Sequence, residues 1–255
     1  MSVIGRRKLL VRAGCLGAGL AAGLPALDSD AETRAELHQS ESRRLKVVVA
    51  GGHPGDPEYG CGGTITRYSS MGHQVVLLYL NNGEWPTSMG GAPAATRIDE
   101  AKKACDILGA RPAYAGQVNG KAVVDQSHYD EYLKIMQNQQ PDVVLSHWPI
   151  DNHADHRATW ALTYNAWLKM GKKFALFYYE VSNGEDTLQF SPTHYVNITQ
   201  VEPRKHDACY AHASQTPDRY YSLQDAVARF RGIESGYGRA EAYILQTKSP
   251  QIALP

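Results

Sequence analysis

From Leu45 onward, short runs rich in valine and leucine alternate with segments whose apolar residues recur at helical spacing. The predicted strands and helices follow one another at 45–50, 62–71, 74–80, 94–108, 129–138 and a strand that ends at Ser146. A strand, a helix and a second strand in this order indicate a parallel sheet, because the helix returns the chain to the edge where the first strand began. The sequence therefore predicts a single Rossmann-like α/β domain, with a mainly parallel sheet flanked by helices.

The first 44 residues do not follow this pattern. Arg6-Arg7-Lys8 precedes a weakly apolar stretch rich in alanine and glycine, and Ala31 is a candidate cleavage position. Residues 1–31 resemble a twin-arginine export signal, and residues 32–44 form a polar linker. We expect a periplasmic or extracellular protein whose mature chain contains no stable membrane span.

The composition excludes several classes of function. The 26 lysines and arginines equal the 26 aspartates and glutamates, so the chain lacks the basic excess of a nucleic-acid-binding protein. Three of the four cysteines remain when residues 1–31 are removed, and their odd number and wide spacing exclude a full disulfide framework and a CxxC motif. Gly51-Gly52 follows the first strand, but the glycine spacing of a dinucleotide-binding loop is absent.

Histidines and aspartates follow two of the predicted strands. The stretch from Gly51 to Glu58 comes directly after the first strand, and His153-Ala154-Asp155-His156 follows the strand that ends at Ser146. The carboxyl ends of strands in an open α/β sheet border the crevice where ligands bind. His53, Asp56 and His156 would give a divalent ion two imidazoles and one carboxylate, and leave positions open for water and substrate. The sequence therefore predicts a metal-dependent hydrolase.

The two motifs resemble those of a known family, the PIG-L or LmbE-like zinc-dependent deacetylases of N-acetylglucosamine-type amines. The family motif His-Pro-Asp-Asp-Glu corresponds here to residues 53–57, and the family motif His-Pro-Asp-His corresponds to residues 153–156. The resemblance continues at Gly83-Glu84, Arg97-Ile98-Asp99-Glu100-Ala101, Leu108-Gly109, Lys205, His212-Ala213-Ser214-Gln215 and Ala240-Glu241-Ala242-Tyr243. Residues 45–255 are accordingly expected to form one PIG-L-like deacetylase domain.

The resemblance assigns roles to individual residues. It makes His53, Asp56 and His156 the ligands of one divalent ion, with zinc the expected metal. It makes His153, held by Asp155, the group that stabilises the oxyanion or protonates the leaving amine. The implied sugar contacts are Glu84 and Arg97. The implied reaction is the attack of a metal-bound water on the acetyl carbonyl of an N-acetylated amino sugar, a glycan or a related small amide.

One position departs from the family pattern. The family has its general base at the first aspartate of His-Pro-Asp-Asp, and this chain has Gly55 there. A general base is typically worth about 10²- to 10⁴-fold in rate. Asp151 is the first candidate for a replacement base, and Glu58 is the second. If instead the base is simply lost, an aspartate restored at position 55 is expected to raise the activity.

Three functions therefore stay open at the level of sequence. The first is an N-deacetylase of an acetylated amino sugar. The second is a metal-holding, sugar-binding protein of the same fold that has lost catalysis together with the base. The third is a metal hydrolase of another amide, since a family resemblance does not fix the acyl group. The sequence does not indicate the oligomeric state.

Overall fold

A seven-stranded sheet lies at the centre of the described part of the chain, residues 43–182 and 187–255 of a computed structural model. The strands are β1 Lys46–Gly51, β2 Gln74–Asn81, β3 Arg111–Gln117, β4 Val143–His147, β5 Ala175–Tyr179, β6 His194–Asn197 and β7 Ala240–Leu245. They lie in the order β3-β2-β1-β4-β5-β7-β6. β1 to β5 run parallel, and β7 pairs antiparallel with both β5 and β6. The prediction of a mainly parallel α/β sheet is confirmed.

Helices cover both faces of this sheet. They are α1 Asp56–Ser70, α2 Ala94–Leu108, α3 Gln126–Gln139, α4 Ala154–Lys169, α5 Glu202–Tyr210 and α6 Pro217–Ser235. Alternate residues of a strand point to opposite faces. Val47 and Val49 therefore pack into one core with α1 and α2, whereas Val48 packs into the other core with α3 and α4. Burial on both faces explains why β1 is apolar from Val47 to Ala50 and shows no alternation there.

The first helix begins earlier than its sequence suggests. The expected start was near Gly62, but α1 begins at Asp56 and contains several glycines in its first half. These glycines allow close packing: a methyl group on Gly60 would lie 2.5 Å from Cδ2 of Tyr179, and one on Gly63 would collide with Ile198. The glycines lower helix propensity, but they let α1 approach the sheet, and they place Asp56 in the first turn of the helix.

Strand β3 has weak sequence signals because it lies at the edge of the sheet. Its residues are only partly buried, and Pro112 within it is tolerated because an edge strand has unpaired amide positions.

No helix among the described residues is both long and apolar enough to span a membrane. The predicted signal, residues 1–31, and most of the linker lie outside the described residues.

A buried ion pair links α1, α5 and β7. Nζ of Lys205 lies 2.7 Å from Oε1 of Glu241, and both residues are at most 3% exposed. The same carboxylate accepts hydrogen bonds from the amides of Gly63 and Thr64, at 2.8 Å each, and from the hydroxyl of Thr64 at 2.6 Å. Glu241 therefore holds the glycine-rich part of α1 against the sheet.

Replacing Lys205 with methionine should lower the free energy of unfolding by about 3–5 kcal/mol, because the carboxylate of Glu241 would stay buried without its counter-charge. Arg204→Met is the matched control, since Arg204 is the neighbouring exposed cation and donates to the carbonyl of Ile107. Urea denaturation of the two variants measures the difference. Equal midpoints for both variants would show that the buried pair does not stabilise the fold.

Candidate metal centre and active site

The two histidine motifs meet because their strands are neighbours. β1 pairs in parallel with β4, with Val47 opposite Val143 and Val49 opposite Leu145. From β1 the sheet continues to β2 and β3 on one side, and on the other side it continues to β4 and β5. At such a switch point a crevice opens beyond the carboxyl ends of the strands. The turn after Gly51 and the loop after His147 therefore border the same crevice, as the sequence predicts.

Three side-chain atoms converge at the floor of this crevice. Oδ2 of Asp56 lies 3.1 Å from Nδ1 of His53 and 3.1 Å from Nε2 of His156. Ligand atoms at about 2.0–2.1 Å from a tetrahedral ion are separated by about 3.3 Å. Both nitrogen–oxygen separations are compatible with a divalent ion. Two groups have ligand atoms that all lie within 4.8 Å of one another: His53, His153 and His156, and Asp56, His147 and His156. The residues expected to be the ligands are thus brought together.

A second carboxylate holds the first ligand histidine. Nε2 of His53, on the far side of the ring from Asp56, lies 3.1 Å from Oδ2 of Asp155. Asp155 also accepts from Nδ2 of Asn81 at 3.0 Å and from the amide of Gly120 at 2.8 Å. The Asp155 carboxylate is thus directed to His53, whereas the backbone amide of Asp155 donates to Nδ1 of His153 at 3.1 Å. A carboxylate behind a metal-ligating imidazole fixes its orientation and raises its basicity.

The third carboxylate holds the other ligand histidine in the same way. Oδ1 of Asp151 lies 3.0 Å from Nδ1 of His156 and accepts from the amide of His153 at 2.8 Å. Its Oδ2 accepts from the hydroxyl of Thr187 at 3.0 Å. Asp151 thus lies behind His156, and both of its oxygens already have donors. This position does not suit the general base expected at Asp151, which would have to face the open side of the centre.

The electrostatics of the ligands depend on these carboxylates. Burial lowers the pKa of His156, but Asp56 and Asp151 outweigh burial and raise that pKa to about 10. Burial raises the pKa of Asp56, but His156 and His53 outweigh it and hold the pKa well below the ordinary value. Burial also raises the pKa of Asp155, but His53 and the amide of Gly120 bring it down to about 2. Asp56 and Asp155 are therefore ionised at neutral pH, as a cation site requires.

His153 lies beside the ligands and starts the helix that carries His156. Its ring centroid is 4.5 Å from that of His53 and 4.8 Å from that of His156. Nδ1 of His153 accepts from the amide of Asp155 at 3.1 Å, so the neutral ring carries its proton on Nε2. Burial and the neighbouring histidines lower the pKa of His153, which favours this neutral form. Neutral His153 is accordingly a hydrogen-bond donor at Nε2.

His147 is part of the centre, although sequence reasoning missed it. Its ring stacks on His156 with 4.0 Å between centroids, and Nε2 lies 3.4 Å from Oδ2 of Asp56. The amide of Gly52 donates to Nε2 at 3.0 Å, so the ring fixes the turn that carries His53. Burial, followed by the charge of His156, lowers the pKa of His147 to about 4. The sequence signal was its position as the last residue of β4.

An open pocket of about 630 Å³ lies above the centre. Its floor contains His53, Asp56, His153 and His156, and its walls contain Arg97, His212, Trp85, Tyr59 and Tyr220. Among the described residues that line it, Asp56 is the only carboxylate. The pocket has the size typical of small-molecule sites, about 300–1,000 Å³.

The comparison with protein families agrees with this geometry. Residues 47–167 match the family model of PIG-L, described as GlcNAc-PI de-N-acetylase. They extend from β1 nearly to the end of α4 and include the three converging ligand residues.

Residues 47–167 form a PIG-L domain.

Known relatives extend the likeness beyond this segment. Diacetylchitobiose deacetylase of Thermococcus kodakarensis is 26% identical over 216 residues, 77% of this chain and 81% of that protein. The conserved protein TT1542 of Thermus thermophilus is 25% identical with a TM-score of 0.71, over 82% of this chain and 97% of its own. The 4-carboxy-2-hydroxymuconate hydratase GalB of Pseudomonas putida KT2440 is 22% identical with a TM-score of 0.68, over 82% of this chain and 98% of its own. The likeness to the hydratase concerns the fold, and a shared fold does not fix the reaction.

The two expected sugar contacts of the PIG-L domain have different positions. Arg97 lines the pocket, but its guanidinium donates to the carbonyl of Pro54 at 2.5 Å and to Glu100 at 2.8 Å. These bonds hold the turn between His53 and Asp56. Glu84 is not among the pocket-lining residues. Its backbone carbonyl accepts from Nδ2 of Asn119 at 2.9 Å, and the adjacent Trp85 faces the pocket.

Glu58, the second candidate for the base, points away from the centre. Its side chain is fully buried and accepts from the hydroxyl of Tyr79 at 2.6 Å. It also lies 3.0 Å from Nε2 of His212 and receives the amide of Gly55 at 3.1 Å. Glu58 therefore stabilises the turn and the pocket wall. Neither candidate carboxylate borders the open side of the centre.

Metal binding should depend on Asp151 as well as on the ligands. Asp151→Asn should weaken the affinity for zinc about 10- to 100-fold, because the amide no longer supports the basicity of His156, and His156→Ala should abolish tight binding. The matched control is Asp125→Asn, because Asp125 also contacts a histidine Nδ1, that of His128 at 2.7 Å, on the surface. Competition with a chelator gives the affinities. Unchanged affinity in Asp151→Asn, together with a loss of turnover, would restore Asp151 as the base.

Proposed function

We propose that this protein is a metal-dependent N-deacetylase that hydrolyses the acetamide of an N-acetylated amino sugar or a related small amide. The observation that carries the proposal is the approach of Nδ1 of His53 and Nε2 of His156 to Oδ2 of Asp56, at 3.1 Å each, on the floor of an open pocket. The deacetylase relative supports the same reaction class. The products would be acetate and a free amine.

Each residue of the centre has its own role in the proposed reaction. A divalent ion held there, zinc by our proposal, would polarise the acetamide carbonyl and supply a nucleophile at neutral pH. His153 would donate from Nε2 to the carbonyl oxygen as negative charge develops on it. Asp155 and Asp151 keep His53 and His156 in position, and His147 fixes the turn that carries His53. Asp155 and Asp151 thus act on the two histidines, whereas Asp56 would itself be a ligand.

The loss of the base favours a slow enzyme. Among the described residues that line the pocket, no carboxylate remains once Asp56 serves as a ligand. The rate should then lack the contribution of a general base, about 10²- to 10⁴-fold. The same observation supports the second candidate, a metal-holding protein that binds a sugar without hydrolysing it. The donor proton on His153 favours the enzyme, since binding a metal and a sugar does not require an oriented donor beside the ligands.

Acetate release separates the two candidates. The zinc-loaded protein should release acetate from N-acetylglucosamine or diacetylchitobiose. A chelator should stop the release and zinc should restore it. His153→Gln should lower kcat at least about 100-fold with zinc content unchanged, because one transition-state donor is lost. Binding of these sugars without any acetate, at enzyme concentrations that would detect a single turnover, would leave only the sugar-binding protein.

An aspartate at position 55 should destabilise the turn between His53 and Asp56. Gly55 has φ 115° and ψ −40°, a backbone conformation that residues with a Cβ rarely adopt. A Cβ there would have room, with its nearest contact 3.8 Å away on Tyr59, so the cost comes from the backbone. Gly55→Asp and the control Gly55→Ala should both lose about 1–3 kcal/mol of stability. Urea denaturation measures the loss, and midpoints of both variants equal to that of the wild type would contradict this expectation.

A further inference from the structure

The outer part of the pocket has two walls built from different segments. One wall contains Trp85, after β2, together with Asn119 and Gly120, after β3. The indole of Trp85 lies over Gly120, where a methyl group would be 3.6 Å from Cζ3. The opposite wall contains Gln215, Arg219 and Tyr220, which come from the end of a short 3-10 turn and the start of α6. These residues lie above the centre and would contact the part of a substrate beyond its acetamide.

Two arginines line this pocket, Arg97 and Arg219, and its only lining carboxylate among the described residues is that of Asp56, at the floor. The charge of Arg97 is balanced by Glu100, at 2.8 Å. Arg219 is therefore the cation of this lining that can attract an anionic ligand.

The two arginines have different surroundings. Arg97 is buried and donates to Glu100 and to the carbonyl of Pro54. Arg219 is exposed at the mouth, and no acidic residue in the described part of the chain pairs with it. Its guanidinium carbon lies 5.2 Å from the ring centroid of Tyr220. This contact leaves the donors of Arg219 available for a ligand in the pocket.

We propose that the substrate carries an anionic group, a carboxylate or a phosphate, beyond its N-acetyl group, and that Arg219 binds it. A guanidinium binds either group through two parallel hydrogen bonds, which is the geometry that distinguishes an arginine from a lysine at such a site. The inference deepens the proposed function by naming the substrate class, and it rests on that function. It makes Arg219 a specificity residue that takes no part in the hydrolysis.

Three sugars with the same N-acetyl group test the inference. N-acetylglucosamine is neutral, N-acetylmuramic acid adds a carboxylate, and N-acetylglucosamine 6-phosphate adds a phosphate. Calorimetry on the zinc-loaded protein gives a Kd for each sugar, and acetate release gives kcat/KM. The variant is Arg219→Gln. The matched control is Arg229→Gln, which removes the same charge from an arginine of α6 that is 62% exposed and pairs with Asp225.

At least one anionic sugar should bind about tenfold more tightly than the neutral sugar, as expected for a charge-assisted pair. Arg219→Gln should reduce this ratio at least about fivefold, whereas Arg229→Gln should leave it within about twofold. Whether carboxylate or phosphate is preferred identifies the group. Equal Kd values for all three sugars, or an equal loss for all three in Arg219→Gln, would overturn the inference.

The binding and turnover measurements separate this inference from the function on which it rests. An Arg219-dependent preference in Kd without acetate from any sugar would refute the deacetylase and retain the anion site. Acetate release without an Arg219-dependent preference would retain the deacetylase and refute the anion site.

Discussion

The carboxylate of Asp56 is the contact on which the site depends. Its Oδ2 lies within 3.4 Å of one nitrogen each of His53, His147 and His156, and it accepts the amide of His53 at 2.8 Å. These groups come from the turn after β1, the end of β4 and the start of α4. One ionised carboxylate therefore joins two neighbouring strand ends, and it can do so only because parallel strands place those ends at one edge of the sheet.

Around this contact, the remaining carboxylates are used to orient rings. Asp155 and Asp151 approach the two ligand histidines from behind, and each is itself held by further donors. Such buried charges are tolerated because each has hydrogen-bond donors on more than one side. The chain thus uses these acidic residues to hold the centre, and the outer pocket wall contains the exposed cation of Arg219.

The sequence predicted the parts of the structure that depend on strong local patterns. The helix at 94–108 matches at both ends, because apolar spacing and the stop at Gly109 agree. The start of α1 was placed too late, since its glycines serve contacts with β5 and with Ile198, which follows β6, and local propensity does not record these. The family resemblance implied that Asp155 holds His153, but the carboxylate of Asp155, at N2 of the helix, points toward His53. Such pairings depend on long-range packing.

The bond between Gly120 and Asp155 connects the outer pocket wall to the centre. One oxygen of Asp155 receives the amide of Gly120 at 2.8 Å and Nε2 of His53 at 3.1 Å. A ligand that displaces the Gly120 wall must therefore alter the support of a metal-binding imidazole. Thermodynamic linkage makes this effect reciprocal. If the ligand changes the affinity for the metal by some factor, the metal changes the affinity for the ligand by the same factor. Ligand binding at the Gly120 wall and metal binding at the centre are therefore thermodynamically coupled.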